Sequence, residues 1–124
     1  MAWGTKTDFT AQTGINNTTE EFLEAVTLNP YEICDVQLLV DNEHASAVTD
    51  ALIISLYGTL DASTEQWDTV PFMQFTHKPA LVSVSEYVSF TVAGVYKFRI
   101  GGKSSGGNDT YTLDGSYRLN GVSA

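Results

Sequence analysis

Between residues 87 and 120 apolar side chains return at every second position, and this period constrains the fold more than any other feature of the chain. The rows are Val88, Phe90 and Val92, then Tyr96, Phe98 and Ile100, then Tyr111, Leu113, Tyr117 and Leu119. A period of two belongs to strands that bury one face and wet the other. The same alternation sets Cys34, Val36, Leu38 and Val40 on one face, and Leu52, Ile54 and Leu56 on another. Residues 70–77 alternate again, with Pro71 marking an edge or a strand start because proline cannot donate to a ladder. Val82 and Val84 begin a further short strand or bend. Polar or proline-bearing breaks at Asn29-Pro30, 41–50, 61–68, Lys78-Pro79 and 101–108 separate these runs. The pattern predicts one all-β domain, a β-sandwich of jelly-roll or Ig-like type with about seven to eight antiparallel strands. Two readings stay open at Ala93-Gly94: a tight hairpin, or a corner at Gly94-Val95-Tyr96 where the chain changes sheets. The glycine-rich stretch 101–108 is expected to be a mobile loop.

The chain has 124 residues and fits a single domain. No apolar run approaches the ~20 residues of a membrane-spanning helix. The first residues lack a basic start followed by an apolar core, so no signal peptide is expected. With Cys34 the one cysteine, an internal disulfide is impossible, and folding in a reducing cytoplasm is expected. A net charge of −9 argues against nucleic acid as a partner. The charge is unevenly spread: residues 1–68 hold twelve acids and one base, residues 69–124 three acids and five bases. The halves therefore carry −11 and +2. Either the fold keeps an acidic and a basic pole, which suits docking, or it mixes the two sets on solvated faces.

Residues 1–21 show no period and read as an irregular N-terminal arm preceding a sandwich domain at 22–124. Such an arm is ordered only if it lies on its own domain or on a neighbour, with Trp3 and Phe9 as anchors. Thr18 to Glu21 could open a short helix through a capping box. Phe22, Val26 and Leu28 fit a strand better, because Pro30 biases Asn29 away from helix.

The chemistry-bearing residues form no catalytic constellation. Cys34 alternates with core side chains and reads as a buried, inert thiol. His44 lies in a loop and His77 at the margin of the core, and neither has a partner at metal-ligand spacing. Asp61, Ser63 and Glu65 space their oxygens like the start of a calcium loop, but Gln66 and Phe72 stand where that loop needs glycine and glutamate. No metal or other cofactor is expected. Paired carboxylates among Asp61, Glu65 and Asp68 have the chemistry for glycoside hydrolysis but no sign of burial or correct separation. Tyr57 and Trp67 beside a polar loop suit a sugar-stacking platform, although Trp67 equally suits covering one end of the core. Lys97, Arg99 and Arg118 share outward parity and would form a cationic patch if their strands are neighbours.

Three segments together carry a resemblance: L-N-P-Y-E-I-C-D-V-Q-L-L-V-D at 28–41, S-L-Y-G-T-L-D at 55–61 with W-D-T-V-P-F at 67–72, and V-S-F-T-V-A-G-V-Y-K-F-R-I-G with the final S-Y-R-L-N-G-V. Over about residues 22–122 their order resembles small β-sandwich virion proteins of tailed bacteriophages and prophages, head decoration (cement) proteins among them. The resemblance implies a structural protein, not an enzyme, made in the host cytoplasm and residing in the virion. It implies binding to the major capsid protein lattice and to sister subunits, with stabilisation of the shell. Trp3, Phe9, Lys97, Arg99 and Arg118 are then the expected intersubunit contacts. The alternative is a carbohydrate-binding or receptor-binding module using Tyr57 and Trp67.

Overall fold

The computed structural model describes residues 4–43, 48–61, 63–79 and 85–121. It is all-β among these residues, with ten strands. They are β1 (Lys6–Asp8), β2 (Gln12–Ile15), β3 (Glu21–Phe22), β4 (Val26–Thr27), β5 (Glu32–Asn42), β6 (Leu52–Thr59), β7 (Met73–His77), β8 (Glu86–Val92), β9 (Lys97–Ser104) and β10 (Tyr111–Gly121). All pairings are antiparallel and form two sheets. Sheet A runs β1-β10-β5-β8, with β2 also on β10. Sheet B runs β3-β9-β6-β7, with β4 also on β9.

The short strands lie end to end. β1 pairs with Ser116 to Arg118 and β2 with Tyr111 and Leu113, so the two make one interrupted edge of sheet A. β3 and β4 do the same along β9, opposite Gly101–Gly102 and Lys97–Phe98. Each sheet is thus four strands wide. With the interrupted edges each counted once, every connection crosses between sheets except β6 to β7. That is the strand order of a jelly roll, the first of the two sandwich types the alternation predicts. The count exceeds seven to eight because two edges are split.

The inward rows meet as their parity requires. Cys34, Val36, Leu38 and Val40 of β5 with Tyr111 and Leu113 of β10 face Leu52, Ile54 and Leu56 of β6 and Phe98 and Ile100 of β9. Burying side chains of this size stabilises by roughly 1.5–3 kcal/mol each. The N-terminal segment joins this core: Phe9 and Ile15 are 4% and 0% exposed, and the Phe9 ring lies 4.9 Å from Tyr117. Residues 6–15 are therefore an edge of the sandwich rather than an arm beside it. No helix forms at 18–21; strands β3 and β4 carry Phe22 and Val26 instead.

Two open choices are resolved, and one further expectation changes. Residues 93–96 are a corner, not a hairpin, because β8 lies in sheet A and β9 in sheet B. Gly94 makes the turn with φ of +82°, a conformation side chains resist. Of the stretch expected as a mobile loop, residues 101–104 belong to β9, and 105–110 are held by hydrogen bonds to Asp50 and Ala51. The charge halves do not form two poles, since strands from both halves alternate in each sheet. Lys97 of the basic half, for instance, bonds Glu65 of the acidic half at 2.6 Å. Trp3, His44, Val82 and Val84 lie outside the described residues.

Candidate docking pole

Three connections meet at one end of the sandwich: 28–31 between β4 and β5, 60–72 between β6 and β7, and 93–96 between β8 and β9. Two open grooves lie between them. One, of about 370 Å³, is lined by Leu60, Asp61, Asp68, Phe72 and Val95 among others. The second, of about 390 Å³, is lined by Pro30, Tyr31, Glu32, Val95 and Tyr96 among others. Val95 forms a wall of both, so the grooves adjoin. These connections carry four of the five large apolar side chains that the described residues expose: Tyr31, Leu60, Val70 and Phe72, with Tyr31 70% and Leu60 79% exposed. Gly58 is the floor beneath Val95 and Phe72; a Cβ there would come within 2.9 Å of Val95 Cγ1.

Tyr31 is held in an unusual conformation. Glu32 N donates to Asn29 O at 3.0 Å, closing a turn with Pro30 second and Tyr31 third. The φ of Tyr31 is +65°, and it is the one described non-glycine residue with positive φ. A turn with proline second and positive φ third favours glycine at that third position. A bulky residue there is an outlier, and the strain is not offset by burial of its ring.

The long loop 60–72 is pinned at several points. Asp68 N donates to Gly58 O at 3.0 Å, and Gly58 N returns a bond to Asp68 Oδ2 at 2.9 Å. Phe72 N donates to Leu56 O at 2.9 Å. On the outer face of sheet B the Arg99 guanidinium lies over Phe22 at 4.1 Å and over Trp67 at 4.8 Å, with Tyr57 at 6.0 Å. Such cation–π contacts contribute about 0.5–2 kcal/mol depending on solvation. Lys97 Nζ donates to Glu65 Oε1, and this bond, with one from Trp67 adding to it, holds the Glu65 carboxyl below its ordinary range. The loop thus presents Leu60, Val70 and Phe72 from a fixed base.

The pole is acidic at its rim. Glu32, Asp61 and Asp68 line the two grooves, and no lysine or arginine does. Hydrogen bonds from the Ser63 and Thr64 backbone, then from the Ser63 side chain, lower the Asp61 pKa and keep it ionised. The Asp61 oxygen that would begin a calcium loop is used inside its own turn, accepting Ser63 N at 2.9 Å and Ser63 Oγ at 3.1 Å. Among the described residues no group of three or more His, Cys, Asp or Glu side chains converges as a metal site.

The residues singled out from sequence are dispersed. Phe9 is inside the chain's own core and is not offered to a neighbour. Lys97 and Arg99 belong to sheet B and Arg118 to sheet A, so they form no common patch. Arg118 stands instead between Lys6 and Asp35 in register across sheet A. Tyr57 and Trp67 do come together, but around Arg99 rather than as a free platform, and the Tyr57 hydroxyl donates to Glu20 Oε1 at 2.9 Å. Trp67 lies on the outer face of sheet B, not across the end of the core. Sequence reasoning missed Tyr31 and Leu60, whose one visible signal was an apolar residue inside a turn or at a loop entry. Comparison of the chain with protein-family models and with curated proteins yields no match.

Proposed function

We propose that this chain is a structural docking protein that seats its exposed pole on a larger protein assembly, the role that the resemblance to head decoration proteins implies for a capsid lattice. The observation that carries the reading is Tyr31, kept in a strained backbone conformation with its ring in solvent at a groove that adjoins, through Val95, the one lined by Leu60 and Phe72. Folding alone favours glycine at that position, so the ring serves contact with something outside the chain. Exposed aromatic and apolar side chains grouped within a polar rim are the anatomy of a protein interface. The acidic rim selects a partner surface whose apolar centre is bordered by lysine or arginine, and it speeds encounter at low salt. Binding the assembled lattice would stabilise it by mass action, since the docked protein adds affinity to the assembled state alone.

The test is occupancy in purified particles, read by quantitative mass spectrometry. The wild-type chain is expected at a fixed stoichiometry to the major capsid protein, and a Tyr31→Ala/Phe72→Ala double variant at a small fraction of it. Absence of the chain from particles, or equal occupancy of the double variant, overturns the proposal. Glycan binding that is lost on Trp67→Ala would favour the carbohydrate-binding alternative.

A further inference from the structure

A sandwich has four sheet edges, and each must prevent unwanted strand addition. Three do so visibly. The β1/β2 edge is interrupted between Asp8 and Gln12 and carries Lys6 and Asp8. The β3/β4 edge consists of two strands of two residues each. β7 is five residues long and is bounded by Pro71 and by Lys78-Pro79. β8 is different: seven uninterrupted residues, Glu-Tyr-Val-Ser-Phe-Thr-Val, without proline, glycine or a base. It pairs with β5 through Cys34 to Val40, and among the described residues nothing pairs its other side. The inward residues Val88 and Phe90 are only half-buried, and Phe90 meets Phe75 edge-on at 5.8 Å.

We infer that β8 is the seam of a two-fold dimer, in which β8 of one copy pairs antiparallel with β8 of a second and joins the two A sheets. The sequence of β8 is self-complementary in one register. A two-fold centred on Ser89 pairs all seven residues: Glu86 with Val92, Tyr87 with Thr91, and Val88 with Phe90. Outward residues then oppose outward ones and inward oppose inward, which a slip of one residue would violate. The Val88–Phe90 pairs continue the inner apolar row across the seam. Aromatic with β-branched pairs of this kind each contribute about 0.2–1 kcal/mol. The one charge, Glu86, falls at opposite ends of the two strands and is bonded to His77 Nε2 of its own chain at 2.7 Å. No like charges therefore meet. The surface is separate from the docking pole and does not depend on what the pole binds.

The experiment is sedimentation equilibrium on the purified chain with three variants at exposed outer-face positions of β8, each checked for native far-UV circular dichroism. Wild type is expected to dimerise. Ser89→Lys and Ser89→Asp each place like charges directly opposite one another on the axis and should weaken the dimer by about tenfold or more. Tyr87→Glu combined with Thr91→Lys puts opposite charges across the seam at both ends and should keep the dimer. A wild type that stays monomeric up to its solubility limit overturns the inference. So does a dimer indifferent to both Ser89 variants, or one lost in the Tyr87/Thr91 pair.

Discussion

Asp50 and Asp109 each hold the other's backbone. Asp109 Oδ2 accepts Thr49 N and Asp50 N at 2.7 Å, while Asp50 Oδ2 accepts Asn108 N at 2.8 Å and Asp109 N at 3.0 Å. The reciprocal bonds tie the connection entering β6 to the connection entering β10 and so close the sandwich at the end remote from the docking pole. Tyr111 OH adds a bond to Asp50 O. Asp109 is 1% exposed, and its replacement leaves the Thr49 and Asp50 amides without this acceptor. Hydrogen bonds to a charged group are worth about 1.5–3 kcal/mol each. Asp109→Ala should lower unfolding stability by at least about 2 kcal/mol in urea titration, with binding through the pole unaffected in the folded fraction. A loss below 0.5 kcal/mol, roughly the scatter for a surface site, would contradict the lock.

The strain at Tyr31 makes stability and binding respond with opposite signs. An L-residue in the left-handed region is disfavoured by roughly 1–2 kcal/mol, and glycine removes that cost while raising the entropy of the unfolded chain by part of it. Tyr31→Gly should leave the midpoint of thermal unfolding unchanged or raised, yet reduce particle occupancy. A clear drop in the midpoint would mean that the ring supports the fold, and the docking argument would lose its basis.

Arg99 is a pin for the 60–72 loop. Its planar guanidinium fits between Phe22 and Trp67, a geometry that lysine does not reproduce. Arg99→Ala, and also Arg99→Lys, should shift the Trp67 fluorescence to the red, measured in a Trp3→Phe background. The loss of stability should be about 1–2 kcal/mol. Unchanged emission in both variants would show that the loop is held by Asp68, Phe72 and the Lys97–Glu65 bond without Arg99.

Much of the sandwich was legible because period-two alternation reports local parity, which the core then enforces. The rows through Cys34, Leu52 and Phe98 all fell on the inner side they imply. Parity does not report which sheet a strand joins. Lys97, Arg99 and Arg118 all point outward, but the crossing at 105–110 sends Arg118 to the opposite sheet. Phe9 lacked a period because β1 and β2 are too short to show one, although its apolar side chain seals the core. The docking pole was hidden for a related reason. Asn29-Pro30 announces a turn but not the positive φ of its third residue, and nothing local says that Tyr31, Phe72 and Val95 converge. Asp109 was illegible too, since its partners lie 59 and 60 residues away.

Cys34 gives the alkaline limb of stability. Burial first, and then the neighbouring Asp35 charge, push its thiol from 9.0 up to about 12. In the unfolded chain the thiol ionises near 9, whereas the folded chain keeps its proton. Above pH 9 the unfolded state therefore binds fewer protons, and stability falls as pH rises. The contribution is intact below pH 9 and disappears progressively between 9 and 12. Burial shifts the Tyr111 phenol upward from 10.0 as well, which extends the decline. Stability from urea titration should fall between pH 9 and 10.5, and Cys34→Ala should flatten that slope by up to about 1.4 kcal/mol per pH unit. The variant will also be less stable at neutral pH because it leaves a cavity, so the slope is the readout. Parallel slopes in the two proteins would place the thiol in contact with water and refute its burial.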